Sequence, residues 1–297
     1  MSKNLNILIT ESGGPAAVGL IKSIKKSEQD CKIYATDCDE LAAGSLLADF
    51  SFLCPPACND LFIDTILDII DRYDIDLIIP TGEHDLLKLS QKKSSITELG
   101  CKIFISDTLT IANCQDKITF FNLFKDDEDI LVPLTIQGPF IKKPIKGSGS
   151  RGIKITESRR EIVQEYIKGK EYTVDVFCDM ESNIISHVIR ERIAIKSGIS
   201  VKGRVLKEHD AISFAVNKIV KVLNLKGPSC IQFKVNNNYF APVLIECNPR
   251  LGGGTYMSTL SGVNYADIYF DLYMGKNPQP PEPKEITVVR HFEEIVV

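Results

Sequence analysis

Residues 230–254 read Cys-Ile-Gln-Phe-Lys-Val-Asn-Asn-Asn-Tyr-Phe-Ala-Pro-Val-Leu-Ile-Glu-Cys-Asn-Pro-Arg-Leu-Gly-Gly-Gly. Residues 230–235 and 243–248 each alternate apolar and polar side chains at period two, the mark of half-buried β-strands. In the second run that period sets Glu246 and Asn248 on one face. Antiparallel pairing with the first run adds Gln232, and three oxygen-bearing side chains together suit a hard cation such as Mg²⁺. Asn236-Asn237-Asn238 is a natural tight turn, yet placing Gln232 opposite Glu246 requires a turn centred near Tyr239. A wider or bulged hairpin is therefore expected. Arg250 and the run Gly252-Gly253-Gly254 follow at once, a cation and a flexible glycine loop beside the carboxylate. The plainer reading is a polar strand edge ending in a glycine loop.

Upstream, residues 140–155 read Phe-Ile-Lys-Lys-Pro-Ile-Lys-Gly-Ser-Gly-Ser-Arg-Gly-Ile-Lys-Ile. A strand leading to Lys143 runs into a loop with Gly147, Gly149 and Gly152, then into another strand. Glycines let backbone amides approach phosphate oxygens closely, and lysine neutralises charge. The stretch is not GxxxxGK[ST], and no helix follows it directly. A flexible hairpin loop explains it equally well. Residues 162–176 end in strand-like alternation over 172–176. A crossing between two subdomains there would offer backbone groups to a purine edge and Glu171 to ribose hydroxyls. An ordinary charged turn is the alternative.

The first hundred residues alternate strand and helix: strands at 5–10, 32–36, 77–80 and 102–106, helices at 16–26, 61–73 and 85–92. That spacing predicts a parallel, doubly wound sheet. Gly13-Gly14 sits at the first strand-to-helix turn, where an anion could meet a helix N-terminus. It lacks the GxGxxG spacing and the acidic residue of a dinucleotide site, so a tight turn is the simpler reading. Asp116-Lys117 opens a further helix pattern that fades into the acidic patch 126–129.

With 297 residues the chain exceeds one typical domain and calls for two or three subdomains. A net charge of −4 offers no general attraction to nucleic acid or an anionic membrane. No apolar run reaches the ~18 residues of a membrane span, and the apolar start at 5–10 is too short for a secretory signal. A cytoplasmic protein is expected, its nine cysteines present as thiols. Cys54 and Cys58 are four apart without a second pair, which argues against a metal site there.

Lys117, then KPxxGSGSRG, then QEYxxGxEYTVDV, then Q…ECNPRLGGG stand in the order and spacing of the ATP-grasp superfamily, which the chain resembles over nearly its whole length. The resemblance implies an α/β protein, α+β in its ATP-binding part. A Rossmann-like domain (1–106) would precede a small lid subdomain (107–169) and a C-terminal subdomain with the metal site (170–297). It implies that Lys117 and Lys143 contact ATP phosphates and that the loop carrying Gly147, Ser148, Gly149 and Ser150 closes over them. The segment Glu165-Tyr166-Ile167 would meet adenine through its backbone, and Glu171 the ribose. Gln232, Glu246 and Asn248 would hold Mg²⁺ (or Mn²⁺), and Arg250 would steady the transferring phosphoryl group.

Two stretches depart from the family: 132–140 and 155–164 are very short, so helices usual in the lid look trimmed or missing. Gln232 at the first metal position resembles carbamoyl-phosphate synthetase large subunits, which carry arginines where this chain has Lys117 and Lys143. Those lysines look more like stand-alone carboxylate–amine ligases. Residues 190–198 resemble a substrate-facing loop, with Arg192 and Lys196 as candidates for a substrate carboxylate and solvated charges as the plain alternative. The expected activity is thus an ADP-forming carbon–nitrogen ligase acting on a small carboxylate and an amine; enzymes of this size and kind are often homodimers. The rivals are bicarbonate or carbamate phosphorylation, a silent ATP- or ligand-binding module, and a nucleotide-sugar or dinucleotide enzyme using only the first, Rossmann-like half.

Overall fold

The computed structural model describes residues 4–137, 140–142, 154–156, 162–235 and 241–297. Its first unit runs β1 (Leu5–Thr10), α1 (Pro15–Ile24), β2 (Cys31–Asp37), α2 (Ala43–Leu47), β3 (Phe50–Leu53), α3 (Phe62–Arg72), β4 (Leu77–Pro80), α4 (Leu86–Gln91), α5 (Lys93–Glu98) and β5 (Lys102–Ile103). These strands form a parallel sheet in the order β3-β2-β1-β4-β5. Period two decides its two faces. Leu5, Ile7 and Ile9 of β1 enter one core and Leu8 the opposite one, beneath α3, α4 and α5. The alternating pattern foretold this unit except at the short helices α2 and α5 and at β3, an edge strand whose Phe50 and Leu53 are largely exposed, so no burial pattern marks it. The strand expected at 102–106 shortens to two residues.

A helical pair follows, α6 (Thr108–Gln115) and α7 (Lys117–Asn122). Asp116 separates them: its carboxylate accepts a hydrogen bond from the Thr119 N–H at 2.6 Å, the N-cap that starts α7. Then come β6 (Thr135–Gln137), β7 (Phe140–Lys142), β8 (Lys154–Thr156) and β9 (Ile162–Gln164). They pair antiparallel as β6 with β9 and β7 with β8, and among the described residues of 132–164 there is no helix, as the short spacings implied.

The rest is β10 (Lys170–Cys178), β11 (Ile184–Lys196), β12 (Ile199–Leu206), α8 (Asp210–Leu223), β13 (Gly227–Val235), β14 (Val243–Asn248), α9 (Tyr256–Leu260), α10 (Tyr265–Tyr273) and β15 (Ile286–Val289). Its antiparallel sheet has the order β14-β13-β10-β11-β12-β15. One face is apolar: Tyr172, Val174, Val176, Ile189, Ile231 and Phe233 pack on α7 and α8. The other face changes character along its length. Phe177, Val188 and Val205 join the core beneath α1, α9 and α10 together with β1 and β4. Next along the face lies a buried ion pair, Asp175–Arg190, and beyond it the polar cluster described below. No helix among the described residues is long and apolar enough to cross a membrane.

Arg190 Nε and Nη2 each donate to Asp175 at 2.7 Å, with both side chains at most 2% exposed. Thr255 at 3.1 Å and Ser258 at 2.6 Å donate to the same carboxylate. The glycine run after β14 is needed for this packing rather than for mobility, because a Cβ at Gly254 would collide with the Arg190 guanidinium. Removing one partner leaves a buried charge uncompensated, which costs about 3–5 kcal/mol. Arg190→Met is therefore expected to lose about that much stability in urea denaturation.

Candidate active site

Register decides which side chains share the polar face of the six-stranded sheet. Glu171 stands opposite Lys234, Thr173 opposite both Gln232 and Arg190, and Gln232 opposite Glu246. Directly opposed residues point the same way, and period two adds Arg192 and Asn248. The expected bulge is present. Gln232 pairs with Glu246 but Phe233 with Leu244, so Ile245 is the extra residue.

Glu246 Oε1 accepts hydrogen bonds from the Asn248 amide at 3.0 Å and from the Gln232 amide. Arg192 Nη1 donates to Gln232 Oε1 at 2.6 Å and to Glu171, while its Nη2 donates to the Gly198 carbonyl. Lys234 Nζ lies 3.9 Å from Glu171 and 5.4 Å from the centre of the Tyr166 ring. A half-turn of each amide would present two carbonyl oxygens beside the carboxylate, an all-oxygen donor set that fits Mg²⁺. Among the described residues no group of three or more His, Cys, Asp and Glu side chains could hold a metal ion. Gln232, Glu246 and Asn248 stay the candidate metal ligands on their donor chemistry.

Residues 190–198, expected as a loop, are instead the end of the 13-residue β11 and a tight turn. Ser197 (φ 49°) and Gly198 (φ 75°) both take left-handed backbone there. Arg192 is only 6% exposed, so it is no solvated charge. Lys196 is exposed and sits 5.1 Å above the Phe292 ring. Lys117 opens α7 with an exposed side chain. The Glu165 N–H donates to the Leu134 carbonyl at 2.9 Å. Tyr166 is 82% exposed and Ile167 is buried. Lys143, Gly147, Ser148, Gly149 and Ser150 lie outside the described residues.

Arg250 leads away from the cluster. Its Nη1 donates to the Leu251 carbonyl at 3.0 Å, and its Nη2 lies 3.4 Å from Glu83. Glu83 lines a cavity of about 620 Å³ at the carboxyl ends of the parallel strands, walled also by Glu11, Asp37 and Asp85. No local pattern announces this cavity, because its acidic residues come from three strand ends far apart in the chain. At the neighbouring Gly13 turn the backbone N–H donates to Asp37 at 2.7 Å. A carboxylate thus already faces the amide that an anion would use, which disfavours a dinucleotide site.

Residues 157–295 match a family model described as ATP-grasp in the biosynthetic pathway with Ter operon, and residues 7–104 one described as PylC-like, N-terminal domain. The chain carries an ATP-grasp fold. The carbamoyl phosphate synthase large chain of Clostridium acetobutylicum is 23% identical over 261 residues, covering 74% of this chain. The chain spans only 24% of that relative. Among solved structures, N5-carboxyaminoimidazole synthetase from Staphylococcus aureus superposes with a TM-score of 0.70 at 16% identity, over 97% of this chain and 82% of that one. L-amino acid ligase from Bacillus licheniformis gives 0.64 at 13% identity, over 95% and 76%. The resemblance is borne out for residues 157–295, and so is the expected parallel sheet at the start of the chain; the six-stranded antiparallel sheet extends the single antiparallel pairing expected at 230–248.

In this ATP-grasp fold the cavity holds one acid with an unusual titration. Burial, and then the neighbouring Glu11 charge, pushes the Asp85 carboxyl from its ordinary 3.8 up to about 7. Folding therefore takes up a proton between these values; the associated stability is full below about 3.8 and lost as pH rises through about 7. Asp85→Asn removes that dependence. Thermal melts should show the variant more stable than the parent at about pH 8, with the gain shrinking toward about pH 5.

Proposed function

We propose that the chain is an ADP-forming ligase that phosphorylates a small carboxylate with ATP and passes the acyl group to an amine. The observation that carries this reading is the convergence of Gln232, Glu246 and Asn248 on one face, with Arg192 joined to it by hydrogen bonding, within an ATP-grasp fold. In the first step a carboxylate oxygen attacks the γ-phosphorus, and the bond to the bridging oxygen breaks with its electron pair leaving on ADP. In the second, the amine nitrogen attacks the acyl carbon, phosphate leaves, and the nitrogen gives up a proton. Mg²⁺ (or Mn²⁺) held by Gln232, Glu246 and Asn248 would neutralise phosphate charge.

The chain's own residues do the positioning. Lys117 and Lys143 serve as phosphate cations, the loop with Gly147, Ser148, Gly149 and Ser150 as its amide cradle, and Arg250 as partner of the transferred phosphoryl group. The segment Glu165-Tyr166-Ile167 takes the adenine and Glu171 the ribose. Arg192 holds the substrate carboxylate, a task suited to a guanidinium that is already oriented by Glu171 and the Gly198 carbonyl. Likeness to an L-amino acid ligase fold supports a carboxylate–amine pair of substrates. Likeness to a carbamoyl phosphate synthase large chain, with Gln232 at the first metal position, favours bicarbonate as the rival carboxylate.

ATP should yield ADP and phosphate when pooled small carboxylates and amines are supplied, and ¹⁸O from the carboxylate should appear in the phosphate. AMP as product, or label kept wholly in the ligated product, would overturn the acyl-phosphate route. Full turnover on bicarbonate alone would favour carbamate chemistry. Glu246→Ala is expected to abolish ADP formation while its circular dichroism stays that of the parent. A near-normal rate would remove the metal assignment.

A further inference from the structure

The cavity beside Arg250 lies where the order of the parallel sheet reverses. From β1 the chain builds outward through β2 and β3 on one side, while β4 and β5 occupy the other. Crevices outside the carboxyl ends of strands at such a switch point are where open α/β sheets receive ligands. Here Glu11 follows β1, Asp37 ends β2, Cys54 follows β3, and Glu83 and Asp85 follow β4. Its size falls within the roughly 300–1,000 Å³ usual for small-molecule pockets.

The charge of the wall is one-sided. Glu11, Asp37, Glu83 and Asp85 face Lys88 and His84, and His84 Nδ1 lies 3.2 Å from Glu11. Three of the acids are already engaged: Asp37 accepts from the Gly13 and Asp39 N–H groups, Glu83 pairs with Arg250, and one Glu11 oxygen meets His84. Among the described acids of the wall, Asp85 alone keeps a buried oxygen without a partner. Asp85 is wholly buried; Thr10 donates to its Oδ2, while Oδ1 has no hydrogen-bond partner among the described residues. A buried carboxylate oxygen without a donor is costly, and a cation with N–H donors relieves it. Glu11 is held in left-handed backbone (φ 48°), with its carboxylate packed where a Cβ on residue 82 would sit, so only glycine fits there. One stretch of the wall is apolar, from Cys54, Pro55, Pro56, Ala57 and Phe62, while Thr36 and Gln115 add neutral polar groups.

We propose that this cavity binds the amine substrate as its ammonium ion, between Glu11 and Asp85, with a compact aliphatic body against the Cys54–Phe62 wall. The assignment rests on the ligase reading for its place in the reaction. A carboxylate substrate would be repelled by these walls, whereas an amine held here lies next to Arg250 through Glu83, at the edge of the candidate phosphoryl site. The substrate class follows: a primary aliphatic amine of small size, cationic in solution, which passes one proton to a wall carboxylate before its nitrogen attacks.

The cavity carries its own reporters. Cys38 and Cys58 line it and are exposed. The test follows their alkylation by iodoacetamide, read by mass spectrometry, in the full chain with magnesium and a non-hydrolysable ATP analogue. The probe is n-butylammonium chloride, with n-butanol and sodium acetate as neutral and anionic counterparts at matched ionic strength. Butylammonium should slow alkylation of both cysteines, and the counterparts should not. Glu11→Gln and Asp85→Asn should each raise the half-protecting concentration by about tenfold to a hundredfold, the range for hydrogen bonds to a charged group. Thermal melts of both variants show whether they fold. Absence of protection, equal protection by n-butanol or acetate, or undiminished protection in both variants would overturn the proposal. The experiment involves no turnover, so an amine site in a protein that never forms ADP would count against the ligase reading alone.

Discussion

The ion pair between Asp175 and Arg190 is the constraint on which the rest of the molecule depends. It sits midway along one face of the antiparallel sheet, between an apolar stretch that packs on the parallel unit and the polar cluster of Glu171, Arg192, Gln232, Glu246 and Asn248. A charge pair so deep is tolerated only when its remaining hydrogen-bonding positions are filled. Thr255, Ser258 and Arg190 itself fill those of the Asp175 carboxylate, and the Tyr265 hydroxyl donates to the Asp175 carbonyl at 2.6 Å. One carboxylate thereby fastens β10 to β11, to the glycine run after β14 and to α9. Arg250 stands two residues before that run, so its position near Glu83 descends from the same packing.

The polar cluster beyond the pair is neutralised from within. Arg192 is shared between Glu171 and Gln232, and Glu246 takes both neighbouring amides. Any divalent cation or nucleotide that enters must exchange these partners rather than fill a gap. That exchange involves side chains on four neighbouring strands, whose backbones are tied by ladders irregular only at Ile245 and near Phe177 and Cys178.

Much of this was legible in the sequence, for a physical reason. Period-two alternation over residues 230–235 and 243–248 encodes which side chains share a face, and counting from Tyr239 called for a wider or bulged hairpin, of which the bulge is found. Alternation of strand and helix likewise gave the parallel sheet. What stayed hidden depends on contacts distant in sequence. Nothing local tells that Asp175 meets Arg190, or that Gly254 is glycine because a guanidinium lies against it. Glu11 and Asp85 belong together only once β1 and β4 are neighbours, and an exposed edge such as β3 leaves no burial signature. Lys143 and the glycine loop, prominent in the sequence, fall outside the described residues.

One core includes β1 and β4 of the parallel unit together with Phe177, Val188 and Val205 of the antiparallel sheet and Tyr265 and Tyr269 of α10. The two sheets are therefore not beads joined by a string. Stripping away residues 1–106 would bare the underside of the second sheet, and neither half has a complete interior alone. Heat should undo both sheets in one cooperative calorimetric transition, so a disturbance in the acid-lined cavity is felt as lost stability in the polar cluster of the second sheet as well.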